Sequence, residues 1–499
     1  MKSFRIIGCM LLSLVVLTIQ AQRIGCVVHS GDRSGTRTEY YSLPEPYDFD
    51  PQITYRQPVV LISFKDQDFS MDDPKGYYNR LLNEKGFNMG YGAGCAADYF
   101  REQSGGRLNL QFDIYGPIKV DYTAGGHGIR YYGRDIQKDA LRQLYETDEN
   151  DFSIYDWNGD GKVEQVLFVA AGYDGQQIAG YIWPNSSSLS AMLPGDIYLY
   201  FASISSELWK DGSLYGFATL VHEFCHCLGL PDIYPIQGDM FSIADEWDLM
   251  DGGNYTNKGW CPPNLSAMEK MYMKWDQPEE LTQPTTITDM KPVSAGGKTY
   301  IIRNSGHPDE FYLLENRRQE GWDYGCPGNG LLIYHVDYLK SAWGNNEVNT
   351  SSIHYRYDLF HADKKNYFDW DPKSKGKDPN KYTMPDCIRS SFLSTSPYPY
   401  TDPVSLVVNQ MLTNESSPAS TLFNMNADEV RLMSKSITNI QVASDGTVSF
   451  DFMKEGTAIR EVISVGEESD DWYDFHGRRL SVAPSKPGIY ICNGKKVKK

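Results

Sequence analysis

Hydrophobic positions in this chain recur at two periods. Pro58-Val59-Val60-Leu61-Ile62-Ser63-Phe64 and Val166-Leu167-Phe168-Val169-Ala170-Ala171 are short, continuous apolar runs, the pattern of strands covered on both faces. Leu108-Asn109-Leu110-Gln111-Phe112-Asp113-Ile114 alternates and predicts a half-buried strand, with Ile118-Lys119-Val120 following it. Ala96 to Ser104 reads as a helix stopped by Gly105-Gly106, and Ile136, Ala140, Leu141 and Leu144 form a helical stripe. Strands and helices alternate as far as a further helix at about residues 216–228, which predicts an α/β sheet with that helix packed below it. On a wheel of about 100° per residue, Leu220, Phe224, Cys227 and Leu228 share one face of this helix. His222 and His226 fall roughly opposite, so one side is expected to meet a core and the other a cleft.

Beyond about residue 285 the period changes. Thr299–Arg303, Phe311–Glu315, Leu331–Val336 and Val448–Phe452 are strand-like runs separated by Gly, Pro and Asn clusters, which predicts a mostly β, sandwich-like half. The whole therefore reads as α+β. The expected divisions are 1–21, 22–56, 57–285, 286–455 and 456–499. Residues 22–56 are polar and turn-rich, a pro-segment or a tether, and the span 362–386, rich in Lys, Asp, Pro and Tyr, is expected to be a loop or insertion. In the last forty residues, Trp472–Leu480 and Pro487–Val497 read as two short strands with a tight turn and a basic end.

Composition narrows the setting. Lys2 and Arg5, the apolar stretch Ile6–Ile19 and the small Ala21 have the order of a secretory signal, with cleavage expected before Gln22. No later run is long enough to cross a membrane as a helix. The formal charge is −18, from 47 basic and 65 acidic residues, and it argues against nucleic acid and anionic membrane as partners. An exported protein is the expectation. Of nine cysteines one is Cys9 in the signal, leaving eight, an even number that permits disulfides. Cys225 and Cys227 are too close on one helix to pair with each other.

The chemistry concentrates in His222-Glu223-Phe224-Cys225-His226-Cys227-Leu228-Gly229-Leu230-Pro231-Asp232. Two imidazoles four residues apart on a helix point the same way and can share one Zn²⁺. Glu223 between them can act as general base, and Gly229 can stop the helix so that Asp232 returns as a third ligand. Glu246 and Asp248 are alternative third ligands. Fifteen residues after Asp232 comes Trp247-Asp248-Leu249-Met250-Asp251-Gly252-Gly253, which looks like the Met-turn that lies under the metal in metzincin peptidases, with Met250 packing and ligating nothing. Tyr255 is a candidate oxyanion donor only by its proximity. His335 and His361, without partner spacing, read as structural. A second metal candidate is Asp156-Trp157-Asn158-Gly159-Asp160-Gly161-Lys162-Val163-Glu164. Its oxygen side chains at the first, third, fifth and ninth positions, with the Lys162 backbone carbonyl at the seventh and Gly161 at the sharp turn, suit Ca²⁺. Its twelfth position is Leu167 where such loops have Glu, so Glu164 or a residue from elsewhere must complete the shell; the alternative is an acidic turn before a strand.

The chain resembles the immune-inhibitor-A-type secreted metallopeptidases of bacteria, especially the smaller Bacteroidetes members. The resemblance is carried by Val59–Phe64 with Asp66, the Asp156–Glu164 loop, the His222–Asp232 motif with Ile233-Tyr234, and the Trp247–Gly253 turn. Phe311–Arg317 and Gly330–Asp337 extend it, over about residues 57 to 455. It implies a metzincin-like catalytic domain and a zinc endopeptidase acting on protein or peptide substrates outside the cell. Most metzincins carry His where this chain has Asp232, though Asp fits this family's motif. The C-terminal tail resembles those of exported proteins, some of which are read by export machinery as sorting signals, and equally an ordinary terminal hairpin. The rival expectation is an exported zinc-containing adhesin, binding protein or glycan, with a vestigial protease domain.

Overall fold

The structure is a computed structural model; it describes residues 27–29, 43–128, 131–147, 151–193, 197–236, 242–351, 353–365 and 393–454, with short strands between 472 and 498. The expected signal segment, most of 22–42 and residues 366–392 of the expected insertion lie outside the described residues. The chain divides into two compact units, Met1–Met453 and Lys454–Lys499.

The first unit is α+β. Its larger sheet has six strands: β1 (Val27–His29), β2 (Thr54–Phe64), β3 (Asn109–Val120), β4 (Lys162–Tyr173), β5 (Asn185–Leu193) and β6 (Ile197–Leu208). They lie in the order β1-β5-β6-β4-β2-β3. β2 runs parallel to β3 and β4, β4 to β6 and β1 to β5, while β5 is antiparallel to β6. The continuous apolar runs follow from coverage on both sides. Val59 and Leu61 of β2 face one core, with residues of α1 (Pro74–Asn83) and α2 (Ala96–Gln103). Val60, Ile62 and Phe64 face the other, against Ile136, Ala140, Leu141 and Leu144 of α3 (Arg134–Thr147). Each such strand reads apolar at every position because neither face meets water. The expected strand at 108–114 and the short run after it form one strand, β3; its pairing with β2 shifts register between Val60 and Ile62.

α4 (Ala218–Cys227) carries the His-Glu-His motif and packs against β6. All ten of its residues are buried, so the side expected to line a cleft is covered as well. α5 (Ala267–Tyr272) follows, with its capping box closed by Ser266 and Glu269.

The β-rich half has two stacked sheets. β7 (Glu279–Glu280), β9 (Tyr300–Arg303), β10 (Glu310–Arg317), β11 (Gly330–Asp337) and β12 (Tyr357–Leu359) form one, in the order β12-β11-β10-β9-β7. β8 (Thr285–Met290), β15 (Ile437–Val442) and β16 (Val448–Phe452) form the other, and β13 (Tyr400–Thr401) and β14 (Val408–Asn409) make a separate pair. Tyr312, Leu314 and Ile333 meet Met290, Ile437 and Phe450 in a core between the two sheets. The alternate residues Phe311, Leu313, Leu332 and Tyr334 belong instead to the core that contains Phe224 and Met250. The five-stranded sheet is thus a middle layer, covered on both faces. α6 (Lys340–Gly344) follows β11.

The second unit has four antiparallel strands, β17 (Trp472–Asp474), β18 (Arg479–Leu480), β19 (Ile489–Cys492) and β20 (Lys495–Lys498), in the order β18-β17-β19-β20. Two strands were expected; each stretch read as one strand contributes a pair. Among the described residues no helix is long and apolar enough to cross a membrane.

Candidate metal centre

The end of α4 sets the geometry. The amide of Gly229 donates to the His226 carbonyl at 3.0 Å and that of Leu230 to the Cys225 carbonyl at 3.0 Å, the paired bonds of a Schellman close. Gly229 has φ +107, and a Cβ there would stand 2.5 Å from the Pro44 carbonyl oxygen. Glycine is needed at this position both for the backbone angle and for the close passage of residues 44–46. The chain then doubles back and brings Asp232 under the helix.

His222, His226 and Asp232 each present one atom to a common point, all within 4.8 Å of one another, and all three residues are buried. Asp232 Oδ1 lies 3.4 Å from His222 Nε2 and 3.3 Å from His226 Nε2. None of these three buried atoms has a hydrogen-bond partner. The outer nitrogens are fixed: His222 Nδ1 lies 2.8 Å from the Leu249 carbonyl oxygen, and His226 Nδ1 lies 2.8 Å from that of Leu230. A carbonyl only accepts, so each Nδ1 carries a proton and each ring turns its Nε2 inward, where it can offer a lone pair to a cation. Burial alone would raise the pKa of Asp232, but positive charge placed at the adjacent His226 and His222 Nε2 positions outweighs it and holds the carboxyl well below its usual range. Two imidazole lone pairs and a carboxylate oxygen, dry and otherwise unsatisfied, form a donor set suited to a divalent ion of borderline softness. Glu223, on the same helix, is fully buried.

The loop after the motif is tied to it at both ends. Ile233 donates to the Met250 carbonyl at 2.9 Å, next to the Leu249 carbonyl that orients His222. Met250 N donates to Asp248 Oδ1 at 2.8 Å, and Asp251 Oδ2 accepts from the amides of Ile243, Ala244 and Asp245 at 2.8–2.9 Å. Burial and the charge of Asp245 push Asp251 up to about 7. The Met250 side chain is fully buried in the core that underlies the site. Asp248, an alternative third ligand by sequence, spends its other oxygen on the Tyr357 hydroxyl at 3.0 Å. Among the described residues, neither it nor Glu246 joins a three-residue cluster.

One residue at the site carries no signal in the sequence. Asn346, just past α6, accepts from Asp232 N at 2.6 Å and donates from Nδ2 to Asp232 Oδ2 at 2.8 Å. It lies 114 positions from its partner, and no local pattern marks it.

The acidic loop 156–164 folds on itself. Asp156 Oδ1 accepts from Gly159 at 2.8 Å and Asp160 at 3.1 Å, and Asp156 Oδ2 accepts from Gly161 at 2.8 Å. Asn158 Oδ1 accepts from Asp160 N at 2.9 Å, and Asp160 Oδ1 from Lys162 N at 3.0 Å. Glu164 Oε2 accepts from Trp157 N at 3.0 Å while its Oε1 is buried without a hydrogen bond. Burial pushes Glu164 up to about 7. Its acidic residues do not form a tight three-residue cluster of the kind seen at His222.

Other candidates are engaged elsewhere. The Tyr255 hydroxyl donates to Gln176 Oε1. His335 Nε2 lies 2.7 Å from Glu310 Oε1, and His361 Nδ1 lies 2.7 Å from the Ser396 hydroxyl. Cys95, Cys225, Cys227, Cys261 and Cys326 are buried free thiols, with Cys225 packed in the core.

No family model matches the chain. Among proteins of known name, the pre-pro-metalloprotease PrtV of Vibrio cholerae is 24% identical over 260 residues, 42% of this chain and 28% of that protein. Immune inhibitor A of Bacillus thuringiensis subsp. alesti is 26% identical over 261 residues, 41% of this chain and 36% of that protein. The chain thus spans about a third of the length of the curated relatives it matches. The likeness is one of distant homology to metallopeptidases.

Proposed function

We propose that the protein is an exported zinc endopeptidase, with His222, His226 and Asp232 holding Zn²⁺ and Glu223 acting as general base. The observation that carries this reading is the convergence of three buried donor atoms that have no hydrogen-bond partner. Zinc bound there supplies Lewis-acid polarisation of a peptide carbonyl and acidifies water. Glu223 takes the proton of the attacking water and returns it to the leaving nitrogen. The Leu249 and Leu230 carbonyls keep both rings in the tautomer that offers Nε2. Protein or peptide chains are the substrates this chemistry serves, and the name of one distant relative, a metalloprotease, agrees with it.

In the same reading residues 1–21 direct export, and the tail beyond residue 456 is a candidate for recognition by export machinery. The loop 156–164 binds Ca²⁺ through Asp156, Asn158, Asp160, the Lys162 carbonyl and Glu164. Its support is the ligand spacing and the unsatisfied Glu164 Oε1. The role would be structural, pinning the entry to β4.

The deciding experiment is casein hydrolysis by wild type and Glu223→Gln, with zinc measured in both. About one zinc per chain in each and cleavage by wild type only is the expected result. A chain that takes up no zinc would sink the proposal.

A further inference from the structure

We infer that Asn346, from the β-rich half of the chain, is the positioning residue of the third metal ligand; the inference rests on the zinc reading above. A carboxylate has two oxygens, and Asp232 must aim one at the metal. Asn346 occupies the other: its Nδ2 donates to Asp232 Oδ2 at 2.8 Å, and its Oδ1 accepts from the Asp232 backbone amide at 2.6 Å. The two bonds leave the amide one orientation, since an amide N–H only donates and a carboxylate only accepts. Together they fix the ligand's main chain and its side chain, leaving Oδ1 turned to His222 and His226.

The clamp is itself held. Trp343 of α6 is fully buried and packs against the rings of Tyr272, Tyr338 and Tyr357. Asn346 N donates to the Trp343 carbonyl at 3.2 Å, and Glu347 N donates to the Ala342 carbonyl at 2.7 Å. Asn346 has φ +56, a conformation that asparagine accepts more readily than most residues. Three residues on, Asn349 Nδ2 donates to the carbonyls of Ile233 and Tyr357, both at 2.8 Å. The same turn therefore grips Asp232 through its carboxylate and the neighbouring residue through its backbone alone.

That difference supplies the test. Zinc affinity of the full chain is measured by competition with a chromophoric chelator, with thermal stability of the metal-free protein beside it, for wild type and three variants. Asn346→Gly removes both bonds yet keeps a backbone that tolerates positive φ. Asn346→Asp keeps the acceptor toward the Asp232 amide and sets a carboxylate against Oδ2. Asn349→Ala unties the same turn without touching the ligand. Loss of such an outer partner costs about 10- to 100-fold in metal affinity. The expectation is a loss of that size in Asn346→Gly, at least as large a loss in Asn346→Asp, and wild-type affinity in Asn349→Ala despite lower stability. Unchanged affinity in both Asn346 variants, or an equal loss in Asn349→Ala, overturns the assignment. Failure of the zinc reading looks different: wild type and His222→Ala would then bind zinc equally poorly.

Discussion

Replacing Gly229 by alanine tests how the metal motif is closed. Two costs act at once. The residue sits at φ +107, outside the regions open to an L-residue, and the new Cβ would lie 2.5 Å from the Pro44 carbonyl oxygen. The first costs about 1–2 kcal/mol and the second, an overpacking against backbone, about 1–3 kcal/mol, so about 2–5 kcal/mol in all. Unfolding entropy of about 2.1 cal/mol/K per residue over roughly 400 residues gives about 0.8 kcal/mol/K, hence a Tm lower by about 3–6 °C. Gly86 supplies the control, with φ +76 and nothing within 4 Å of its Cβ position. Gly86→Ala carries the backbone cost alone. The assay is thermal unfolding of both variants in chelator, so that metal does not enter. If Gly229→Ala loses no more than Gly86→Ala, the close passage of residues 44–46 places no constraint on the turn and the reasoning fails.

Two further predictions concern pH and metal. Burial alone would raise Glu310, but His335 and the amides of Phe423 and Asn424 outweigh it and hold the carboxyl at about 2. A depressed carboxyl stabilises above its unfolded pKa, near 4.5, and the contribution is lost as pH falls toward 2. At 1.36 kcal/mol per unit this is at most about 3 kcal/mol. Glu310→Gln should be less stable than wild type at pH 7, and the two melting curves should converge near pH 2; a gap independent of pH would refute the ionic account. For the loop 156–164, calcium must displace the proton that Glu164 retains to about pH 7. Calcium should therefore raise Tm more at pH 8 than at pH 5.5, and the pH dependence should vanish in Glu164→Gln. No calcium-induced shift at either pH removes the calcium proposal.

Much of the α+β fold could be read along the chain because it depends on local order. The apolar runs at 58–64 and 166–171 signal strands covered on both faces, and both faces are covered. The stripe from Ile136 to Leu144 is the buried side of α3. His222, His226 and Asp232 meet because ten residues of helix and one glycine close suffice to bring them together. What escaped reading is non-local. Whether the helix faces a cleft or is covered depends on segments far along the chain, and α4 is buried on every side. Asn346 acts across 114 residues, and one asparagine among loop residues has no period or motif to mark it. The three amides gathered by Asp251 are equally silent, since backbone donors have no letter in a sequence.

The reach of the turn after α6 back to Asp232 also orders events in time. A chain made or threaded from its N-terminus presents both histidines and the aspartate long before Asn346 follows, 114 residues behind its partner. Until β11 and α6 have emerged and docked, the carboxylate lacks the bond to its Oδ2. In the zinc reading the centre is therefore completed late in biogenesis, when most of the first compact unit already exists, and a half-made chain carries the proposed ligands without their final arrangement.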